Sequence, residues 1–198
     1  LESAVNMADE YNFYPTDGLT LFQRTGDEYF RIMGGWDVTA SPGVTAREGM
    51  NKLTPVTNWR GYCSKYNYAV GTTDGGENAV TGYIFEKMNA SDKKDVNDRG
   101  NSKGLNTLLY DFKAYKANFI LGDYFVALGA GVTNAKPAME GGIRTTIDQT
   151  AHIGAVTVIE KGKEKPLQEG RQSLITFEGQ PVWVMQEGKF AYRVLPEF

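Results

Sequence analysis

The sequence predicts an all-β protein, a large antiparallel β-sandwich, and three observations lead there. Turn signals in the C-terminal half recur at about the 8–12-residue spacing of sandwich and barrel strands. Aromatic residues make up 12% of the 198 residues, and 23 glycines accompany them. That pairing suits short strands and tight turns, since rings pack well on a pleated surface and glycine accepts positive φ. Convincing helices are absent: the nearest candidate, residues 105–115, has some helical spacing but no Ser or Asp cap with a clean apolar stripe.

The elements follow in order. Residues 19–24 read as a strand after a turn at Pro15-Thr16-Asp17-Gly18. Residues 34–78 form a long stretch rich in Gly, Thr, Asn and aromatics, with no regular pattern. A connection of that length is a binding loop or a disordered segment, and Trp36, Trp59, Tyr62, Tyr66 and Tyr68 argue against disorder. Residues 80–88 read as a strand, and residues 89–104 as a polar, charged loop. Residues 118–121, Gly122-Asp123 and residues 124–128 then spell strand, primed turn and strand. Residues 143–148 alternate, with Ile143, Thr145 and Ile147 on one face and Arg144, Thr146 and Asp148 on the other. Strands are expected again at 155–160, 173–177, 182–186 and 190–194, with turns at Lys161-Gly162, Glu178-Gly179 and Glu187-Gly188. No repeat or internal boundary is visible, so residues 1–198 are read as a single β-sandwich domain.

Charge and composition exclude several functions. A net charge of −3 gives no support for nucleic-acid binding, which needs a strongly basic face. The basic clusters Lys93, Lys94, Arg99, Lys103 and Lys161, Lys163, Lys165 sit among Gly, Asn, Asp or Glu and read as solvated loops. No apolar run reaches the roughly 18 residues of a membrane helix. Cys63 stands alone, so no intrachain disulfide is possible, which fits the cytosol and many exported bacterial proteins alike. The first residue is Leu1, and the chain is read as a mature or excised fragment.

Signatures of familiar chemistry are missing. One Cys and one His cannot build a zinc site, and no P-loop, dinucleotide fingerprint or nucleophile elbow occurs. His152 reads as a strand-end histidine. Asp74, Glu77, Asp92, Asp95 and Asp98 do not match a calcium-loop spacing and read as surface loop. No cofactor is expected; a structural cation is left open. What remains is an aromatic-rich loop able to present rings to sugars, since a pyranose face is apolar. The same rings could equally fill the sandwich core.

Three stretches resemble the β-domain of polysaccharide lyase family 8, the chondroitin, hyaluronan and xanthan lyases. Gly35-Trp36-Asp37 through Pro42-Gly43-Val44-Thr45 looks like the family's Trp-Asp-Trp…Pro-Gly-Thr-Thr loop. Tyr115-Lys116-Ala117-Asn118-Phe119 through Leu128-Gly129-Ala130-Gly131-Val132 is similar to its Lys-Lys-Ser-Trp-Phe…Leu-Gly-Ser-x-Ile hairpin. Arg144-Thr145-Thr146-Ile147-Asp148-Gln149 resembles its Glu-Thr-Thr-x-x-Gln strand. Order and spacing agree over about residues 1 to 150. Leu1-Glu2-Ser3 with Asn6 also looks like the family's Glu-Ser-x-Asn segment. Asn6 falls four residues after Glu2 where the family has three, and Val38 replaces the second Trp of the loop.

The resemblance implies a supersandwich of the galactose-mutarotase-like kind. It implies β-elimination on a uronic acid, with proton transfer by a tyrosine and histidine of a helical domain preceding residue 1. By this resemblance Glu2 is a catalytic residue that orients an arginine and tyrosine of that domain, and Asn6 and Trp36 are substrate-binding residues. The implied partners are an acidic polysaccharide and the helical domain of the same parent chain, and the implied location is secreted or periplasmic. The chain alone should then be inactive. A second reading, a non-catalytic carbohydrate-binding or structural sandwich module, shares the fold, because fold does not fix function.

Overall fold

In the computed structural model the described residues are 18–37, 40–48, 68–86, 112–134, 137–138, 140–167 and 179–196. They hold ten strands and one 3-10 turn, Met33–Gly35, and every strand pairing is antiparallel. The all-β expectation is therefore met. The strands are β1 (Thr45–Arg47), β2 (Tyr68–Thr73), β3 (Asn78–Glu86), β4 (Phe112–Leu121), β5 (Tyr124–Asn134) and β6 (Ile143–Thr145). They continue with β7 (Val156–Glu160), β8 (Lys163–Pro166), β9 (Val182–Gln186) and β10 (Ala191–Val194). The chain divides into two compact units, one of residues 1–21 and 35–149, the other of residues 22–34 and 150–198.

In the first unit a four-stranded sheet runs β2-β3-β4-β5, and β1 pairs with β6 in a two-stranded ribbon. The β4–β5 hairpin turns at Gly122-Asp123, as its sequence predicts, with Gly122 at φ 56°. Both strands outrun the predicted 118–128 segment. Near their far ends the register slips between Lys113 and Tyr115, a bulge in which two residues oppose one and the local twist increases. Asp74 organises the β2–β3 turn: its carboxylate accepts from the N–H groups of Gly76 and Asn78 and from the Asn78 side chain, at 2.8, 3.2 and 2.6 Å. The Asn78 amide first, then the two backbone N–H groups, hold the Asp74 carboxyl below the ordinary carboxylate range.

Alternation along β4 divides the sheet into two faces. Tyr115 and Leu121, with Tyr124, Val126 and Leu128 of β5, stand on one face and are exposed. Ala114, Lys116, Asn118 and Ile120 stand on the other. Ala114, 1% exposed, packs there against Tyr83 and Ile143.

The second unit contains the sheet β10-β9-β7-β8, with Val158 and Val182 buried. Phe22, Phe190 and Tyr192 form an aromatic group with ring centroids 6.2 to 6.3 Å apart, within the range of favourable edge and tilted contacts. Lys161 and Gly162 both take positive φ in the β7–β8 turn. Lys163 and Lys165 lie on the exposed strand β8, with Lys165 3.5 Å from Glu160, so this basic cluster is strand as well as turn.

Some expectations change. Residues 19–24 form no strand. Thr20 N–H donates to Pro42 O at 2.9 Å, while the N–H groups of Arg24, Thr25 and Gly26 turn onto the Glu28 carboxylate at 2.9, 2.8 and 2.9 Å. Within 19–24 side chains have taken donors that a strand ladder would have used: Glu28 takes the Arg24 N–H, and the Tyr29 hydroxyl takes the Phe22 N–H at 2.9 Å. Conversely, residues 34–78 are not one irregular connection: they contain β1 and β2. The described part of the helix candidate, from residue 112 on, is strand. The strand expected at 173–177, the rings Trp59, Tyr62 and Tyr66, and the basic group at 93–103 lie outside the described residues.

Glu28 gives the second unit a pH dependence. Its carboxyl is lowered from 4.5 to about 2, chiefly by the Thr25 N–H, with Arg24 and Gly26 adding and burial opposing. A depressed carboxyl stabilises the folded state fully above its unfolded value and loses that contribution as pH falls towards the folded value. Amide protection at Arg24, Thr25 and Gly26 should therefore decline between pH 4.5 and about 2. Glu28→Gln should abolish that decline in hydrogen exchange; an unchanged profile would contradict it.

Candidate functional site: a clasp between the aromatic loop and the Arg144–Gln149 segment

The most buried run of the described residues is 41–47. Ser41 is 7% exposed, Val44, Thr45 and Ala46 are 0%, and Arg47 is 1%. Burial on that scale is unusual for a loop, whose backbone groups need partners, and here the partners come from residues 141–149. Ser41-Pro42-Gly43-Val44 makes a turn closed by Val44 N–H to Ser41 O at 3.0 Å. Proline followed by a glycine at φ 75° is the type II signature. Gly43 N–H donates to Thr146 O at 2.8 Å and Thr146 N–H to Val44 O at 3.0 Å. The ladder then runs Thr45↔Thr145, Ala46↔Arg144 and Arg47↔Ile143. The two threonine hydroxyls meet at 2.7 Å.

Side chains fasten both ends. Gln149 Nε2 donates to the carbonyls of Asp37 and Ala40 at 3.0 and 2.9 Å, and its Oε1 accepts from Asp37 N–H at 2.9 Å. Arg144 reaches Asp37 Oδ2 at 3.1 Å and Glu48 Oε1 at 3.2 Å, joining two carboxylates of the loop. These groups are roughly a third to a half exposed, so their contribution is modest and falls with salt. Buried Arg47 donates to Gly141 O and Asn134 Oδ1, both at 2.8 Å. The hairpin joins in through Lys116, whose Nζ donates to Gly43 O at 2.6 Å.

Backbones approach closely where the loop meets residues 18–20. A Cβ on Gly43 would strike Gly18 O and come within 2.8 Å of Thr20 Oγ1. One on Gly18, itself at φ 110°, would strike the Tyr83 hydroxyl and lie 2.7 Å from Lys116 Nζ.

Of the residues singled out from sequence, Trp36 is in the clasp. Its indole N–H donates to Gln149 O at 3.1 Å and the residue is half-buried. Glu2 and Asn6 lie outside the described residues. Arg144, Gln149, Arg47 and Lys116 were not singled out as site residues, although three of them stand inside the quoted stretches. The alternation expected at 143–148 ends early: β6 stops at Thr145 and Ile147 is 46% exposed, because the segment's partner there is the turn at Pro42-Gly43 and the side chains of the loop. Among the described residues no group of three or more His, Cys, Asp or Glu is placed to hold a metal, and His152 is exposed in the other unit.

Replacing Gln149 with leucine should cost about 2–3 kcal/mol, since three hydrogen bonds go and the Asp37 and Ala40 carbonyls lose a donor. Urea unfolding measures this; a loss under about 0.5 kcal/mol, the scale of an ordinary surface change, would contradict the role given to Gln149.

An antiparallel β-domain whose aromatic loop is sewn along its length to a Thr-Thr-x-x-Gln segment is the class this geometry defines. Comparison with known proteins gives the family. The super-sandwich domain of polysaccharide lyase family 8 matches residues 2–197, and the chain belongs to that family. It is 28% identical over 176 residues to chondroitinase-AC of Pedobacter heparinus, covering 88% of this chain and 20% of that protein. The chain thus spans about one-fifth of the length of this curated relative. No solved structure gives a significant match.

Proposed function

We propose that this chain is the β-sandwich part of a lyase that cleaves uronic-acid-containing glycosaminoglycans by β-elimination, and that it forms one wall of the substrate cleft. The observation that carries the reading is the family match across nearly the whole chain. The convergence of its three characteristic stretches on one clasp supports it.

In this reading a preceding helical domain supplies the groups that move protons. A base removes the proton on the ring carbon next to the carboxylate. The electron pair forms the ring double bond as the bond to the glycosidic oxygen breaks, and an acid protonates that oxygen. Such groups must stand within hydrogen-bond reach of the protons they move, and the charge developing beside the carboxylate needs fixed donors. The part given to this chain is positional. Glu2 orients an arginine and a tyrosine of the helical domain, Asn6 lies beside it, and the clasp holds Trp36 towards the sugar. A secreted or periplasmic location goes with a polymeric substrate.

The test is the ultraviolet absorbance of the conjugated unsaturated uronate. A longer parent protein carrying the helical domain should release it from chondroitin, hyaluronan, xanthan or alginate, and the 198-residue chain should release none. Release by the pure chain would remove the need for the helical domain. No release from any polymer by the parent would leave the binding-module reading in its place.

A further inference from the structure

In the second unit the two faces of the sheet β10-β9-β7-β8 differ in cover. On one face Val158 and Val182 are 6% and 3% exposed, and Tyr192 of the same face packs against Phe22 and Phe190. The other face is more open. Register there aligns one row of side chains across all four strands: Arg193, Trp183, Ile159 and Glu164. Trp183 is 38% exposed although β9 is an inner strand, and Arg193 beside it is exposed. The Arg193 guanidinium lies over the indole, its Cζ 5.5 Å from the ring centroid. A guanidinium held against a ring by its charge keeps its N–H donors, which lie in its own plane, for another partner. Arg47 and Arg144 give theirs to Gly141, Asn134, Asp37 and Glu48. Among the described residues no carboxylate pairs with Arg193.

We propose that the Trp183–Arg193 pair is a surface site for a carboxylate-bearing sugar, a uronate unit of a polysaccharide held on the second unit. The inference takes the source of its ligand from the glycosaminoglycan reading and adds a site that reading does not include. The guanidinium fork matches a carboxylate with two parallel N–H donors, and the exposed part of the indole offers apolar surface to the C–H face of the same sugar ring. Contact with the ring holds the guanidinium in place before the anion arrives, so less side-chain freedom is lost on binding. A neutral sugar gains the indole contact alone. Glu164 is the only acid in the row. It stands three strands from Arg193, about 14 Å at the usual strand spacing, and charges in physiological salt are screened beyond about 8 Å. It therefore does not cancel the attraction at Arg193. A single sugar contact of this kind is weak, but on a polymer it acts by avidity, because each further contact along the same chain is intramolecular.

The experiment is a titration of the isotope-labelled 198-residue chain with glucuronate, glucose and glucose 6-sulfate as separate probes at millimolar concentration. It is read at the amides of Ile159, Trp183 and Arg193 and at the indole N–H resonance that Trp183→Leu removes. Saturable shifts at these positions are expected with glucuronate, and glucose should bind at least tenfold more weakly. Arg193→Gln should weaken glucuronate binding tenfold or more and leave glucose binding unchanged. Arg193→Lys keeps the charge and loses the fork; it should weaken glucuronate binding severalfold and serves if Arg193→Gln does not fold. Absence of shifts at these positions, equal binding of glucose, or full glucuronate binding by a folded Arg193→Gln chain would overturn the proposal. Tighter binding of glucose 6-sulfate would overturn the assignment to a carboxylate. The titration does not depend on turnover: an inactive parent with this binding intact would sink the lyase reading and keep the site. An active parent without the binding would sink the site alone.

Discussion

Gly43→Ala is expected to lower the stability of the first unit by about 3 kcal/mol, through two separable causes. Gly43 sits at φ 75°, where an L-residue costs roughly 1–2 kcal/mol. Its new Cβ would also meet Gly18 O and lie 2.8 and 2.9 Å from the Thr20 Oγ1 and Cβ. Overpacking of that kind adds about 1–3 kcal/mol, because the nearest opposing atom, Gly18 O, is backbone and Thr20 Cβ is bonded directly to backbone, so neither can swing away. In a chain of this length each kcal/mol is worth about 2–4 °C, so the melting temperature should drop by about 10 °C. Gly122→Ala separates the causes. Gly122 also has positive φ, 56°, but nothing stands within 4 Å of its Cβ position, so only the conformational cost, about 1 kcal/mol, should appear. Equal losses in the two variants would mean that the interlock of residues 18–20 with the Pro42-Gly43 turn contributes nothing.

These costs explain which parts of the molecule were legible in the sequence. The β4–β5 hairpin and β7, β9 and β10 were readable because local rules decide them: Gly-Asp and Glu-Gly turns flanked by β-branched and aromatic runs leave few alternatives. The extension of β4 beyond the predicted segment goes with its pairing to β3, and that of β5 with its pairing to β4, which no local pattern announces. The segment 19–24 reads as a strand from its side chains, yet its Phe22 N–H goes to the Tyr29 hydroxyl and its Arg24 N–H to the Glu28 carboxylate. Local spacing cannot show a competition of that kind.

The candidate site divides in the same way. The motif residues were visible through their resemblance, and Trp36 was singled out among them. The clasp itself was not visible, because its bonds join residues about a hundred positions apart: Gln149 to Asp37 and Ala40, Arg144 to Asp37 and Glu48, Thr45 to Thr145. Buried Arg47 is the clearest miss. A lone arginine next to a small-residue strand gives no sign that its guanidinium will bond Gly141 and Asn134. The useful sign was a paired one, two Thr-rich segments in the order the family uses.

In the proposed function Glu2 orients the proton-moving groups of a uronate lyase. A misplacement of about 1 Å in a reacting group costs on the order of a hundredfold in rate. Because Glu2 is assigned to positioning, its removal should act on turnover more than on substrate affinity. The most direct measurement is kcat and KM of the parent protein on chondroitin, wild type against Glu2→Ala, with the melting temperature of each as the control for folding. The account predicts a fall in kcat of about a hundredfold, or roughly 2.7 kcal/mol of transition-state stabilisation, with KM and melting temperature nearly unchanged. A folded Glu2→Ala parent with activity within about twofold of wild type would contradict it.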